Sequence, residues 1–167
     1  MWDKNKREKQ FIEAYDGYAD DIFRHCYYRT YDREKAKDFV QETFFRVWKY
    51  IAAGNKVDNI RAFLYKTANN LVIDDSRKKK SVSLDQMMEQ GFSPRENLKQ
   101  NDEISIKNNV LSLISSLDDK YREIIIMRYI NDLSPKEIAI IVGETENNVS
   151  VMIHRGLKKA KKILEDK

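Results

Sequence analysis

Three adjacent acid pairs, Asp20-Asp21, Asp74-Asp75 and Asp118-Asp119, and one His25-Cys26 dipeptide are the side chains in this sequence best suited to bond chemistry. Paired carboxylates could hold a divalent metal for hydrolysis. Neighbours on a helix, however, point about 100° apart, so adjacent acids make poor joint ligands. The His25-Cys26 pair has no second half at zinc-ligand spacing. Cys26 is the single cysteine. It excludes an intramolecular disulfide, fits a reducing compartment and is expected to pack as a small hydrophobe. These residues predict a binding protein and not an enzyme, with no cofactor, no metal and no small-molecule substrate.

The residue types that remain suit recognition of a polyanion. Net charge is only +4, but it is concentrated. Arg61, Lys66, Arg77, Lys78, Lys79 and Lys80 fall in one stretch against Asp74 and Asp75. Between His154 and Lys167 stand Arg155, Lys158, Lys159, Lys161, Lys162 and Lys167 against Glu165 and Asp166. Two separate basic patches fit a polyanion touched twice, although solvated helix faces would give the same count.

Helices must position these groups. Gly and Pro number only five and two, and 41% of residues are apolar, so the chain is expected to be all-α with ordinary cores. Phe11, Tyr15, Tyr18 and Ile22 keep a helical spacing. A second helix is predicted over about Arg33 to Ala52 and a third over about Ile60 to Lys79. The stretch from Ser81 to Gln100 is polar, contains Gly91 and Pro94 and loses the period, as a flexible linker does. Periodicity resumes near Ile104, with Leu111, Ile114 and Leu117 on one stripe, and Asp118 is placed to cap the next helix. The predicted plan is two small helical domains: 1–80, a linker over 81–102, and 103–167. The start, MWDKNKREKQF, has no apolar run of the signal-peptide kind, and no segment nears the roughly 18 apolar residues of a membrane span. A cytoplasmic protein is expected.

Within the last part, Ser134-Pro135-Lys136-Glu137 is a strong helix start: Ser as N-cap, Pro in the first turn, Glu closing a capping box. Ala139, Gly143 and Val149 then fall at the spacing of a helix-turn-helix. The small residue allows close crossing, the glycine takes the sharp turn, and Ile138, Val149 and Met152 pack between the helices. The second of these helices offers Asn147, Asn148, Ser150, His154, Arg155 and Lys158 on a polar face, suited to base edges and phosphates in a major groove. A helical hairpin that only packs would share the small residue and the glycine, but not the basic polar face.

The third helix carries a second mixed face. Ile60, Leu64, Ala68, Leu71 and Val72 form its apolar stripe; Lys66, Asn69, Asn70, Ile73 and Arg77 lie opposite, with Phe63 and Asp74 at the rim. Cations, amides and an aromatic suit single-stranded nucleic acid. Packing of Phe63 and Ile73 on another element is the plainer alternative. On the second helix, Phe45 sits away from the apolar arc, among Asp38, Gln41, Glu42 and Lys49. That is the profile of a docking patch, unless another segment covers it.

These segments resemble the bacterial RNA polymerase sigma factors, in particular the compact extracytoplasmic-function group of the sigma-70 family. AKDFVQETFFRVWK resembles the part that grips core polymerase, with Asp38, Gln41, Glu42 and Phe44 standing at the motif positions. NIRAFLYKTANNLVIDDSRKKK resembles the part that melts and reads the −10 element, which implies roles for Phe63, Lys66, Asn69, Asn70, Asp74, Arg77 and Lys78. The stretch from Leu117 to Leu164 resembles the −35 reader. Phe63 stands where the family often has Trp. Asn147-Asn148-Val149 replaces a common Gly-Thr-Val, and Met152 replaces a common basic residue. The resemblance implies a promoter-specificity subunit whose partners are core RNA polymerase, promoter DNA and an anti-sigma factor. A helix-turn-helix regulator acting on duplex without polymerase is the alternative of a different class.

Overall fold

The computed structural model describes residues 4–86 and 102–166. Every regular element among them is helical: α1 (Lys4–Thr30), α2 (Arg33–Ala52), α3 (Ile60–Gln86), α4 (Asp102–Ser115), α5 (Asp119–Ile125), α6 (Pro135–Val142) and α7 (Glu146–Glu165). A π-helical turn, Ile126–Ile130, continues α5. No described helix is long and apolar enough to cross a membrane.

The N-terminal region is a three-helix unit. Its core is Ala14, Ile22 and Cys26 from α1, Ala36, Phe44, Val47 and Ile51 from α2, and Leu64, Ala68 and Val72 from α3. The apolar arc of α2 is therefore buried as its spacing requires, and the stripe of α3 likewise. Asp32 starts α2 by accepting from the Lys35 amide at 3.0 Å. Asn59 starts α3 by accepting from the Ala62 amide at 3.0 Å. Each cap satisfies an amide that the helix cannot pair internally.

The C-terminal region is built from α4 to α7. The capping box predicted at Ser134 is present: its hydroxyl accepts from the Glu137 amide at 3.1 Å, and Glu137 accepts from the Ser134 amide at 2.9 Å. Gly143 ends α6 with φ +73°, a left-handed conformation that favours glycine. Thr145 caps α7 through the Asn148 amide at 3.1 Å. Ile138 and Val149 are wholly buried between the two helices, and Met152 packs partly against the same core. Gly156 allows α7 close to α5: a Cβ there would stand 3.1 Å from Ile125.

Two expectations need correcting. The third helix does not stop near Lys79 but runs through Gln86, so the linker expected over 81–102 begins with helix; residues 87–101 lie outside the described residues. Nothing in Ser81–Gln86 breaks a helix, since Gly91 and Pro94 come later. Asp118 precedes α5 but its side chain makes no capping bond. It accepts instead from Lys159 Nζ of α7 at 3.1 Å, which also turns that lysine towards the protein and away from a phosphate. Tyr15, at helical spacing with Phe11, Tyr18 and Ile22, is half exposed on α1.

The two regions pack on each other. α6 lies against α3, and the π-helical turn lies against α1. Leu133, Ile138 and Met127 join one continuous apolar core with Tyr65 and Ile22. Around it run polar contacts. Arg61 donates to the carbonyls of Asn131 (3.0 Å) and Asp132 (3.2 Å) and to Glu137 (3.5 Å). His25 Nδ1 donates to Asn131 Oδ1 at 3.0 Å.

Candidate nucleic-acid interface

Helix α7 holds the residues predicted to read a duplex on its open face. Asn147, Asn148, Ser150, His154, Arg155 and Lys158 are all exposed, while Val149, Ile153 and Gly156 face inward. Capping by Thr145 and the turn at Gly143 fix the N-terminal end of α7 relative to α6. That end enters a major groove in helix-turn-helix proteins. Asn148 Nδ2 donates to Glu144 at 3.3 Å, so one amide is already oriented. Glu144 and Glu146 flank this end and are exposed. The sequence reading missed them. Carboxylates here repel phosphate but accept from cytosine N4.

Helix α3 presents a narrower second face than predicted. Lys66, Asn70, Asp74, Arg77 and Lys78 are exposed. Phe63 is half-buried, its ring 4.9 Å from that of Tyr50. Asn69 is the correction. It is 1% exposed, with Oδ1 accepting from Arg29 at 2.6 Å and Nδ2 donating to Glu123 of α5 at 2.6 Å. Projection of α3 alone put Asn69 beside Asn70. It could not show that a second module covers that edge. The partners carried a faint signal, for Arg29 and Glu123 are charges on otherwise apolar helix faces.

Helix α2 presents the third surface. Asp38 and Gln41 are exposed, and Glu42 is half-buried and accepts from Arg46 at 2.7 Å. Phe45 is 56% exposed, and no described segment covers it. Its ring lies 5.4 Å from Lys49 Nζ. Phe45 borders an open apolar groove of about 520 Å³ between α1 and α2, formed with Phe11, Ile12, Tyr15, Phe44 and Trp48 and edged by Gln41 and Glu8. Ile12 and Tyr15 are also exposed, so the isolated residue belongs to a larger apolar patch. Sequence projection treated each helix by itself and missed the α1 wall.

Several of the carboxylates first considered for bond chemistry form ion pairs. Asp75 pairs with Lys35 at 2.9 Å, Asp21 pairs with Arg24, and Asp119 pairs with Arg122 at 2.9 Å. Among the described residues no cluster of three or more His, Cys, Asp or Glu side chains is arranged to hold a metal. Cys26 is fully buried, and burial pushes its thiol up to about 12. His25 is fully buried, and its pKa falls to about 3, first through burial and then through the Arg29 charge, against the hydrogen bonds of Asn131 and Asn69.

His25 therefore ties stability to pH. The folded protein binds fewer protons than the unfolded chain between about 3 and the ordinary value of 6.5. The stability of the neutral, buried ring is complete above 6.5 and is lost as pH falls through that window. Lowering pH from 7 to 5 is expected to cost about 2 kcal/mol through this residue, at about 1.4 kcal/mol per unit. Urea denaturation at both pH values measures it, and His25→Gln should flatten the difference.

Comparison with known proteins gives a consistent assignment. The family description "Sigma-70 region 2" matches residues 14–82, and "Sigma-70, region 4" matches residues 107–159. The ECF RNA polymerase sigma factor SigW of Bacillus subtilis (strain 168) is 29% identical over 177 residues, covering 98% of this chain and 93% of that protein. The ECF RNA polymerase sigma factor SigM of the same strain is 28% identical over 150 residues, covering 89% and 91%. Among solved structures, CnrH in complex with the cytosolic domain of CnrY has a TM-score of 0.71 at 20% identity, covering 95% and 90%. The sigma factor RpoE in complex with the anti-sigma factor NepR from Bartonella quintana has a TM-score of 0.74 at 18% identity, covering 94% and 98%. Those two similarities establish the fold. With both sigma-70 regions matched in order and full-length relatives of one kind, the chain belongs to the extracytoplasmic-function group of the sigma-70 family of RNA polymerase sigma factors.

Proposed function

We propose that this promoter-specificity subunit divides its work among three helices. α2 grips core RNA polymerase through Asp38, Gln41, Glu42 and Phe45. α3 reads and holds the melted −10 element, with Phe63 and Asn70 at an unstacked base and Lys66, Arg77 and Lys78 on phosphates; Asp74 edges this face, and Asn69 joins it once uncovered. α7 reads the −35 element through Asn147, Asn148, Ser150, His154, Arg155 and Lys158. The observation that carries this reading is the simultaneous exposure of three chemically different faces on α2, α3 and α7, each suited to one ligand.

The chain makes and breaks no covalent bond in this account. Its contribution is binding energy that offsets strand separation, a few kcal/mol per unstacked step. It acts in the cytoplasm, where core polymerase and the promoter are found. The fold is similar to a sigma factor held by an anti-sigma factor, which supports a protein inhibitor as a further partner. Transcription in vitro from a randomised promoter library, with core polymerase and the purified chain, tests the reading. Recovered start sites should share two upstream elements. A library that yields no start sites above core alone refutes it.

Two residues on α7 separate base reading from phosphate binding. Arg155→Ala should weaken binding by about 1–3 kcal/mol and relax preference at one −35 position. Lys158→Ala should weaken binding evenly across sequences and reduce the salt slope by about one. Titrations of holoenzyme on selected and scrambled −35 sequences at several salt concentrations distinguish them.

A further inference from the structure

We infer that Val151 is a base-reading residue of α7: its side chain contacts the 5-methyl group of a thymine in the −35 element and so fixes one base of the promoter preference. The inference deepens the reading of α7 given above and rests on it.

Position is the first argument. Val151 is 40% exposed, and the core joined by Val149 and Ile153 does not include it. At about 100° per residue, the buried Val149, Ile153 and Gly156 lie about 140–160° round the helix from Val151. Val151 therefore points straight away from the module that carries α7. Lys158 stands about 20° from that direction, Asn147 and Arg155 about 40° to either side, and Asn148 and His154 about 60° to either side. All five are exposed. A lone exposed hydrophobe is ordinary on a protein surface. This one sits at the centre of a polar, cationic face, where core packing does not account for it. Helix propensity does not account for it either, because a β-branched residue ranks below alanine, lysine and glutamine on an open helix face.

Chemistry is the second argument. A valine side chain neither donates nor accepts a hydrogen bond, so the polar groups on base edges offer it nothing. The thymine methyl is the apolar group that a major groove presents. The neighbours supply the rest of the contact: Lys158 suits a phosphate, Arg155 a guanine edge, and Asn147 and Asn148 an adenine edge. With those groups seated, Val151 faces the floor of the groove. Asn147 and Arg155 lie one turn to either side of it, about 6 Å along the helix axis, or about two base-pair steps of roughly 3.4 Å. The thymine read by Val151 thus falls between the bases that those two residues address.

The test uses the full chain with core polymerase, as parent and as Val151→Ala, with circular dichroism to confirm helicity. Each protein selects promoters from a library randomised across the −35 element. The parent should favour thymine at one position, within about two base pairs of the position that Arg155→Ala relaxes. Val151→Ala should lose that preference and keep the others. Each thymine of the selected element, on both strands, is then replaced in turn by deoxyuridine, which lacks only the methyl. One replacement should weaken binding by the parent about fourfold, the worth of one buried methyl group, and leave binding by Val151→Ala unchanged. The deoxyuridine arm on the parent alters only the DNA, so it decides whatever the substitution does to folding. The inference is overturned if no deoxyuridine weakens the parent, if the replacement weakens both proteins alike, or if Val151→Ala keeps the thymine preference. A parent that selects no −35 sequence refutes the −35 reading itself, an outcome distinct from a parent that selects a sequence and ignores the methyl.

Discussion

Val149→Asp should unfold the C-terminal module and abolish promoter recognition. Val149 is wholly buried where α7 crosses α6, packed in one cluster with Ile138 and Ile153. A carboxylate there has no cation to pair with in that apolar cluster, and burying it unpaired is expected to cost about 4 kcal/mol or more. A domain of this size has little more stability than that to lose. Val149→Ala gives the graded control. It removes two methylene equivalents, about 2 kcal/mol including the cavity, and should weaken the module without melting it. Far-UV circular dichroism should show loss of helix in the Asp variant and retention in the Ala variant. Core binding through α2 should survive partly in both, because α2 packs on α1 and α3. A fully helical Val149→Asp protein that still selects promoters would contradict the assignment of α7.

Phe45→Ala should weaken binding to core polymerase by about 2 kcal/mol, roughly 30-fold in Kd. The ring is more exposed than buried in the free protein, so truncation should change folding stability by no more than about 0.5 kcal/mol. It borders the groove between α1 and α2, where a partner side chain would be shielded by Ile12, Tyr15 and Trp48. Gln41→Ala should also weaken binding, since Gln41 edges the same groove and stays exposed. If Gln41→Ala weakens core binding and Phe45→Ala does not, the aromatic patch lies outside the interface. Fluorescence anisotropy of labelled chain titrated with core measures both.

Much of this was legible in the sequence because it is local. The capping box at Ser134, the left-handed turn at Gly143 and the Thr145 cap are each decided within a few residues. The exposed face of α7 follows from a single helical period. Phe45 was legible as an exposed residue for the same reason, but the groove beside it needs α1, whose register against α2 no local pattern gives. Asn69 fails for a related cause. Its neighbours on α3 predict exposure, whereas Glu123 stands 54 positions away and arrives only when the modules pack. Asp118 shows the smaller version: a good capping residue is drawn off by Lys159, 41 positions later. Long-range polar partners are set by tertiary packing, and periodicity carries no record of them.

The claim that this chain directs polymerase to melt promoter DNA is tested most directly by permanganate footprinting on a selected promoter with core polymerase and the purified chain. Unpaired thymines reactive around the −10 element are expected only when core and the chain are both present. They should weaken when Lys66, Arg77 and Lys78 are replaced together by alanine. Tight, sequence-specific duplex binding by the chain alone, with no reactive thymine when core is added, would contradict the account.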